Sequence, residues 1–237
     1  MTVSRLVLVT GASRGLGKET CKQLAESGCE VILTARDEAK GKAAQAELIA
    51  ETGSSLIHFA MLDVTSAESI QALTTWIEIT FGRLDALINN AGILPDYGHD
   101  VLSIEPQLIR DIFETNALAP LMLSRALIPM LEKGKQTQII NVSSGWGQLD
   151  EMDGEGPAGY KISKTALNAV TKLLAGQLEK HGVSVYCLCP GWVQTDMGGP
   201  EALRTVPEGA RGISQLALLA KEIPTGSFLR DLAVIPW

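Results

Sequence analysis

Short apolar runs alternate with helix-like stretches along most of the chain. The strand-like runs cover residues 6–9, 31–33, 56–62, 86–88, 138–142 and 183–188, with a short seventh at 227–229. The helical stretches cover about 18–27, 38–51, 66–81, 106–131, 158–179 and 208–220. Strands that are apolar at successive positions are typical of a parallel sheet covered on both faces. The alternation predicts an α/β fold: a doubly wound parallel sheet of about seven strands with helices on both faces. No linker divides the chain, so a single domain over residues 1–237 is expected.

The composition favours a large core and an ordinary soluble protein. Of 237 residues, 46% are hydrophobic and 20% are charged, and the formal net charge of -7 argues against a nucleic-acid or anionic-membrane surface. The start shows no signal-peptide pattern, and the apolar stretch 117–131 contains Ser124, Arg125 and two prolines, so no membrane span and a cytoplasmic location are expected. The four cysteines have no C-x-x-C spacing, which favours reduced thiols and no metal site.

Three glycines lie between the first strand and the first helix. Gly11, Gly15 and Gly17 have the spacing G-x-x-x-G-x-G, which differs from the better-known G-x-G-x-x-G. Glycine lets the backbone turn tightly and approach a diphosphate, and a helix N-terminus favours negative charge. The loop therefore predicts a phosphate site formed by Gly11, Ser13, Arg14, Gly15, Leu16 and Gly17.

The end of the second strand bears on which dinucleotide would bind. An acidic residue here usually holds a free ribose 2′-OH, whereas an arginine suits a 2′-phosphate. Arg36 and Arg14 could converge on such a phosphate, although both could equally be solvated and Asp37 complicates the assignment. The sequence favours NADP(H) over NAD(H).

Tyr160 and Lys164 lie four residues apart in a helical stretch. They therefore share one face of the helix, with a phenol beside an ammonium. We expect the ammonium to lower the tyrosine pKa from about 10 toward neutrality, which suits a group that gives a proton to a ketone oxygen and takes it back. Alone, the pair is also compatible with two exposed side chains on an ordinary helix.

Several motifs follow one another in a fixed order. They are Thr10-Gly11-x-x-x-Gly15-x-Gly17, Asp63-Val64, Asn89-Asn90-Ala91-Gly92, Asn116, Ser143-Ser144, Tyr160-x-x-x-Lys164 and the run from Pro190 to Met197. Together they resemble the short-chain dehydrogenase/reductase superfamily, over essentially the whole chain. The segments 34–37 and 189–197 resemble its NADPH-dependent carbonyl reductase branch in particular. The resemblance implies a Rossmann fold and hydride transfer between NADP(H) and a carbonyl compound or alcohol.

The resemblance also assigns roles to individual residues. Tyr160 is implied to be the general acid/base, and Lys164 to tune it and bind the nicotinamide ribose. Ser144, which matches better than Ser143, would polarise the substrate carbonyl. Asn116 would hold a water for a proton relay. The implied contacts to the rest of the cofactor come from Asp63 and Val64, from Asn90, Ala91 and Gly92, and from Pro190, Gly191, Val193 and Thr195.

Two segments, at about 145–157 and 194–207, are expected to form the substrate loops. Apolar and aromatic surface would come from Trp146, Met152, Trp192 and Met197, beside Ser144 and Tyr160. Acidic residues accompany it: Asp96, Asp100, Asp150, Glu151, Asp153 and Glu155. If these line the entrance, they repel anions, which predicts a neutral, hydrophobic ketone or aldehyde, although a solvated acidic face is the alternative. Residues 197–206 could form a mobile lid.

The chain lacks the large insertion after Ser144 that monomeric animal carbonyl reductases carry. We therefore expect a homodimer or homotetramer, with Ile162, Ala166, Ala169 and Leu173 as an apolar helix face, although ordinary core packing of these residues is equally compatible. Two other functions remain open. One is reduction of a 3-oxoacyl thioester on an acyl carrier; the other is a cofactor-binding regulator without catalysis.

Overall fold

The computed structural model describes residues 4–219 and 223–237, which form one sheet between two layers of helices. The strand order is β3-β2-β1-β4-β5-β6-β7-β8. The strands are β1 Leu6–Val9, β2 Glu30–Ala35, β3 Ile57–Met61, β4 Ala86–Asn89, β5 Gln138–Val142, β6 Ser184–Leu188, β7 Phe228–Arg230 and β8 Ala233–Val234. All neighbouring pairs are parallel except β7 and β8. The predicted doubly wound parallel sheet is confirmed.

The helices cover both faces of this sheet. They are α1 Gly15–Glu26, α2 Glu38–Thr52, α3 Ala67–Thr80, α4 Pro106–Phe113, α5 Ala119–Leu131, α6 Ala158–Leu178 and α7 Val206–Leu218. Alternate residues of β1 serve different layers, because successive side chains of a strand point to opposite faces. Val7 and Val9 pack with residues of α1, α2 and α7. Leu6 and Leu8 pack with residues of α3, α5 and α6.

Three differences from the expected elements have local causes. Strand β8 was not predicted, because it is exposed and only two residues long, shorter than the apolar runs that indicate a buried strand. Helix α7 begins at Val206 rather than 208, since Thr205 and Glu208 form a reciprocal capping box. The predicted end of that helix, Ala220, lies outside the described residues. The expected long helix over 106–131 contains a π-helical segment, Glu114–Leu118, between α4 and α5.

The parallel strands end at one edge of the sheet, and the segments that follow them carry the motifs noted above. In a doubly wound sheet this edge is where ligands bind.

None of the described helices is both long enough and apolar enough to cross a membrane. All four cysteines are buried and free, and the described residues contain no group of three or more side chains that could hold a metal ion.

Candidate active site

A cleft of about 1380 Å³ opens along the carboxyl edge of the sheet. The glycine loop lines one part of it, and the start of α6 and the segments after β5 and β6 line another. Every residue predicted to contact the cofactor lies on its wall: Gly11, Ser13, Arg14, Gly15, Leu16, Gly17, Arg36, Asp63, Val64, Asn90, Ala91, Gly92, Tyr160, Lys164, Pro190, Gly191, Val193 and Thr195. The fold therefore brings residues from six parts of the chain into one cavity.

The glycine loop has the geometry that its sequence demands. Gly11 and Gly15 have φ values of 63° and 56°, in the left-handed region that side chains disfavour. A Cβ on Gly17 would lie only 2.6 Å from the carbonyl oxygen of Gly11. Arg14 makes no side-chain cap at the start of α1, so the first N–H groups of that helix remain available to an anion. The loop fits a bound diphosphate.

Hydrogen bonds tie the glycine loop to the segment after β4. The Thr10 hydroxyl accepts from the backbone N–H groups of Asn90 and Ala91, both at 3.0 Å. The Asn90 side chain donates back to the carbonyl oxygen of Thr10, at 2.8 Å. Asn90 thus lines the cleft, but its amide is already engaged in holding two loops at a fixed separation.

The structure separates the charged residues around the second strand. Asp37 does not line the cleft: its carboxylate caps α2 by accepting from the N–H of Lys40, at 3.0 Å. Arg36 does line the cleft. Arg14 also lines the cleft and forms an ion pair with Asp196, from the segment after β6. The convergence of Arg14 and Arg36 on a 2′-phosphate stays a prediction.

Asp63 lies between these groups as an oriented carboxylate. It accepts from the backbone N–H of Thr65, at 3.0 Å, and from the Thr65 hydroxyl, at 2.7 Å. These bonds, and to a smaller extent the charge of Arg36, lower the pKa of Asp63. Because the bonds engage one oxygen, Oδ1, the second oxygen is open to a partner in the cleft.

Tyr160 lies in the first turn of α6, with only 6% of its surface exposed. Burial raises the pKa of its phenol, and a hydrogen bond with the Ser144 hydroxyl opposes that effect. The expectation that the pKa falls toward neutrality is therefore wrong for the protein's own residues, since desolvation of the phenolate dominates. Tyr160 is kept as a protonated phenol, which is the form that an acid needs.

Lys164 is equally buried, one turn further along α6. Its ammonium donates to the carbonyl oxygen of Val142, at 2.8 Å, and lies 5.6 Å from the centre of the Tyr160 ring. Burial lowers the pKa of Lys164 to about 8. The expected side-by-side placement is present, but the ammonium is bound to the end of β5, and no hydrogen bond joins it to the Tyr160 hydroxyl among the described residues.

The two adjacent serines have different environments. The Ser143 hydroxyl is buried and donates to the Asn168 side chain, at 2.8 Å, which fixes the end of β5 against α6. The Ser144 hydroxyl neighbours the phenol of Tyr160 and accepts from the backbone of Trp146, at 3.2 Å. This difference favours Ser144 over Ser143 as the group that contacts a substrate.

Asn116 is fully buried in the π-helical segment and does not line the cleft. Its amide accepts from the N–H of Ile93 and donates to the carbonyl oxygen of Ile93, both at 2.8 Å, and also donates to Ser163, at 3.0 Å. A Cβ on Gly92 would lie 3.2 Å from Asn116 Oδ1 and 3.7 Å from the Lys164 ammonium. Asn116 is close to the lysine, but its side chain is engaged with the protein.

A model of the short chain dehydrogenase family matches residues 5–204. The chain belongs to the short-chain dehydrogenase family. It is accordingly an oxidoreductase, and the ordered motifs that suggested this family, apart from Asn116, meet in the cleft.

Three relatives show how widely the similarity extends. The 3-oxoacyl-[acyl-carrier-protein] reductase FabG of Vibrio cholerae is 37% identical over 193 residues, which cover 81% of this chain and 75% of that protein. The carbonyl reductase Sniffer of D. melanogaster superposes with a TM-score of 0.89 at 30% identity, over 99% of this chain and 100% of that one. The NADPH-bound carbonyl reductase from chicken fatty liver gives 0.88 at 34% identity, over 99% of both chains.

The substrate end of this short-chain dehydrogenase differs in part from expectation. Trp146, Trp192 and Met197 line the cleft, but Met152 does not. Of the acidic residues expected at the entrance, only Glu151 and Asp153 are on the wall, and Asp153 is paired with Lys161. Three basic residues that were not expected at the site also line the cleft: Lys161, Arg204 and Arg230. Only the folded chain brings them to the loops.

The segment expected to act as a lid is attached to the strand end before it. Arg204 donates its N–H to the carbonyl oxygen of Trp192, at 3.0 Å, and accepts from the N–H of Gln194, at 2.8 Å. The indole of Trp192 donates to the carbonyl oxygen of Gly198, at 2.8 Å. These bonds hold the segment against the residues that follow β6, and movement of residues 197–206 stays a prediction.

Asp96 was expected at the entrance but is completely buried beneath the start of α6. Its Oδ2 accepts from the N–H of Tyr160, at 3.1 Å, and its Oδ1 has no partner among the described residues. Pro157 gives α6 no side-chain cap, so this carboxylate from the loop after β4 takes that place. Its charge also contributes to the raised pKa of Tyr160.

Asp96→Asn should lower the pKa of Tyr160, because it removes a negative charge while keeping an oxygen that can accept from the Tyr160 N–H. The phenol would then ionise at lower pH than in the unsubstituted protein. Phenolate absorbance in the near ultraviolet measures this, with Tyr160→Phe subtracted to isolate the one group. Asp150→Asn, which changes an exposed carboxylate, is the control; equal curves for both variants would contradict a role for Asp96.

Proposed function

We propose that this short-chain dehydrogenase is an NADP(H)-dependent carbonyl reductase, which reduces a hydrophobic ketone or aldehyde and oxidises the secondary alcohol in the reverse direction. The observation that supports this most directly is the meeting of Ser144, Tyr160 and Lys164 in one cleft with the glycine loop and Arg36. The proton donor Tyr160, the Ser144 hydroxyl that can donate a hydrogen bond to an oxyanion, and the glycine loop that can hold a dinucleotide then face the same cleft. The NADPH-bound carbonyl reductase from chicken fatty liver has the same fold.

The chemistry divides between cofactor and protein. The reduced nicotinamide, when bound, supplies the hydride for the carbonyl carbon. Tyr160 gives its proton to the carbonyl oxygen as charge develops there, and the Ser144 hydroxyl donates a hydrogen bond to the same oxygen. One C=O π bond is replaced by a C–H and an O–H bond, so the reaction consumes the reduced cofactor and one proton. Burial disfavours the phenolate that remains, so Tyr160 must regain a proton before the next turnover.

Lys164 is placed to help return that proton. Its pKa of about 8 means that the ammonium can lose and regain a proton near neutral pH. Asn116 shapes this neighbourhood through its bonds to Ile93 and Ser163, and Ser163 in turn donates to the carbonyl oxygen of Tyr160, at 2.7 Å. We propose that a water near Asn116 connects Lys164 to solvent.

Tyr160→Phe should reduce turnover by at least about 10²-fold, because it removes only the proton donor. The assay follows loss of the reduced cofactor with acetophenone as the ketone. Cofactor affinity, measured separately by fluorescence titration, should change little. Near-normal turnover would exclude Tyr160 as the acid, whereas tight cofactor binding with no turnover in the unsubstituted protein would favour the non-catalytic regulator.

Preference for NADP(H) rests on Arg36. A guanidinium forms charge-assisted hydrogen bonds to a phosphate, and Asp37, which could have favoured a 2′-hydroxyl, is committed to capping α2. Because Arg14 is paired with Asp196, Arg36 carries most of this selectivity in the proposal.

Arg36→Glu should lower kcat/KM for NADPH by about 10- to 100-fold, since charge-assisted hydrogen bonds contribute roughly 1.5–3 kcal/mol. Activity with NADH should be kept or improved, because a carboxylate can accept from the 2′-hydroxyl. Steady-state kinetics with both cofactors give the ratio. Arg211→Gln, which removes a charge from the exposed side of α7, controls for net charge. An unsubstituted enzyme that prefers NADH would end this assignment.

The substrate class is the finer part of the proposal. Trp146, Trp192 and Met197 supply the apolar and aromatic wall that a hydrophobic carbonyl compound needs. The argument for a neutral substrate loses support, because four of the six acidic residues do not line the cleft. The similarity to FabG keeps 3-oxoacyl-thioester reduction as the second candidate. Comparing acetophenone with an acetoacetyl thioester separates the two.

We also propose a homo-oligomer formed through the outer face of α6. Ile162 and Leu173 are 42% and 71% exposed, and Ala169 is exposed beside them, so these residues are not core packing. Ala166 is half-buried between them. Phe113 and Met122 leave further apolar surface on α4 and α5.

Leu173→Glu should weaken this association, because it places a charge on this apolar face. Light scattering of the unsubstituted protein should give at least twice the chain mass of 25.3 kDa. The variant should shift toward that single-chain mass at low concentration. Ile79→Glu, on the exposed face of α3, serves as the control. A single-chain mass for the unsubstituted protein would exclude the oligomer.

A further inference from the structure

Arg230 is a basic residue on the substrate side of the cleft that the proposed mechanism does not use. It ends β7 at the carboxyl edge of the sheet and is half-buried. Its Nη2 lies 3.5 Å from the sulfur of Cys189, at the end of β6. A Cβ on Gly145 would lie 2.7 Å from the same nitrogen. The guanidinium therefore lies against the residue that directly follows Ser144.

The same neighbours connect Arg230 to the reacting groups. The Cys189 thiol is close enough to both Tyr160 and Lys164 to influence the pKa of each. Trp146, two residues after Ser144, packs edge-on against the Tyr160 ring, with the ring centres 6.1 Å apart. A carbonyl compound bound to Ser144 and Tyr160 would thus have the guanidinium beside it.

The hydrogen-bonding capacity of Arg230 is almost unused by the described residues. A guanidinium has five N–H donors. Here the Nε is buried without a partner, and the thiol of Cys189, a weak acceptor, is the hydrogen-bond partner found for Nη2. The neighbouring Asp231 does not pair with it, because Arg204 holds both oxygens of that carboxylate at 2.7 Å.

Two other arginines on the cleft wall, unlike Arg230, are paired with carboxylates. Arg204 is paired with Asp231, and Arg14 is paired with Asp196. A half-buried charge without a paired carboxylate is costly to keep unless a ligand completes its bonds. Gly145 contributes to the arrangement, since any side chain there would occupy the space of the guanidinium.

We propose that Arg230 binds a carboxylate of the substrate, so that the preferred substrates are hydrophobic oxo acids and the corresponding hydroxy acids. This inference rests on the proposed carbonyl reductase activity and specifies its substrate class. The carboxylate accepts from the guanidinium while the carbonyl oxygen of the same molecule accepts from Ser144 and Tyr160. The carboxylate is unchanged by the reaction; the carbonyl alone gains the hydride and the proton.

The test compares each acid with its own ester. Benzoylformate and 3-benzoylpropionate, each beside its methyl ester, place the carboxylate at two distances from the ketone. For at least one pair, the unsubstituted enzyme should favour the acid, and Arg230→Gln should lower kcat/KM for that acid by about 10- to 100-fold, the range of a charge-assisted hydrogen bond. The ester should change by less than about threefold. Arg230→Lys should give an intermediate kcat/KM for the acid, because lysine keeps the positive charge but lacks the parallel N–H donors of a guanidinium.

Binding can be measured without turnover. The unreactive 3-phenylpropionate should quench the fluorescence of Trp146 and Trp192, which line the cleft, and Arg230→Gln should raise its Kd by a similar factor. Arg211→Gln should leave both the acid-to-ester ratio and this Kd unchanged. Because the titration does not depend on hydride transfer, it tests Arg230 even if acetophenone reduction shows that the proposed activity is wrong.

A second variant guards against a folding defect in Arg230→Gln, which a thermal melt would show. Gly145→Ala keeps the charge but places a methyl group against Nη2, so it should reduce the acid-to-ester ratio in the same direction. The proposal is overturned if acid and ester lose activity equally in Arg230→Gln, if the unsubstituted enzyme prefers both esters, or if a folded Gly145→Ala keeps the full acid preference.

Discussion

Desolvation of two ionisable side chains on one turn of α6 is the constraint on which the site depends. Tyr160 and Lys164 are both buried, and burial disfavours the charged form of each: the phenol stays protonated, and the ammonium holds its proton less strongly. Because both groups are buried, a displacement of the start of α6 would cost free energy. Asp96, the carbonyl oxygen of Val142 and the Asn116–Ser163 pair each hold this turn from a different part of the chain.

The arrangement of strands and helices followed from periodicity, because buried parallel strands give continuous apolar runs and their helices give a different repeat. The walls of the cofactor cleft followed from motifs, since glycines and the residues after strands occupy places that topology alone determines. The choice of Ser144 over Ser143 stays a prediction, which the bond between Ser143 and Asn168 supports.

Other features depended on contacts between distant segments, which a sequence does not display. Asp96 resembled an entrance carboxylate by composition, yet it is buried under α6. Arg14 pairs with Asp196, and Arg230 reaches Gly145 only after β7 joins the sheet. The pKa of Tyr160 is raised rather than lowered as expected. Residue spacing shows the neighbouring charge but not how far the fold desolvates the phenol.

The π-helical segment Glu114–Leu118 affects which neighbouring helices α4 and α5 pack against. It accommodates one more residue per turn than the helices on either side, so the residues after it are rotated by about 100° relative to an uninterrupted helix. One continuous helical stretch can therefore pack α4 against α6 and α5 against α3. Without the π-helical turn, the same sequence would present a different side of α5 to α3. The segment therefore sets the rotation of α5, which packs against α3, relative to α4, which packs against the helix that carries Tyr160 and Lys164.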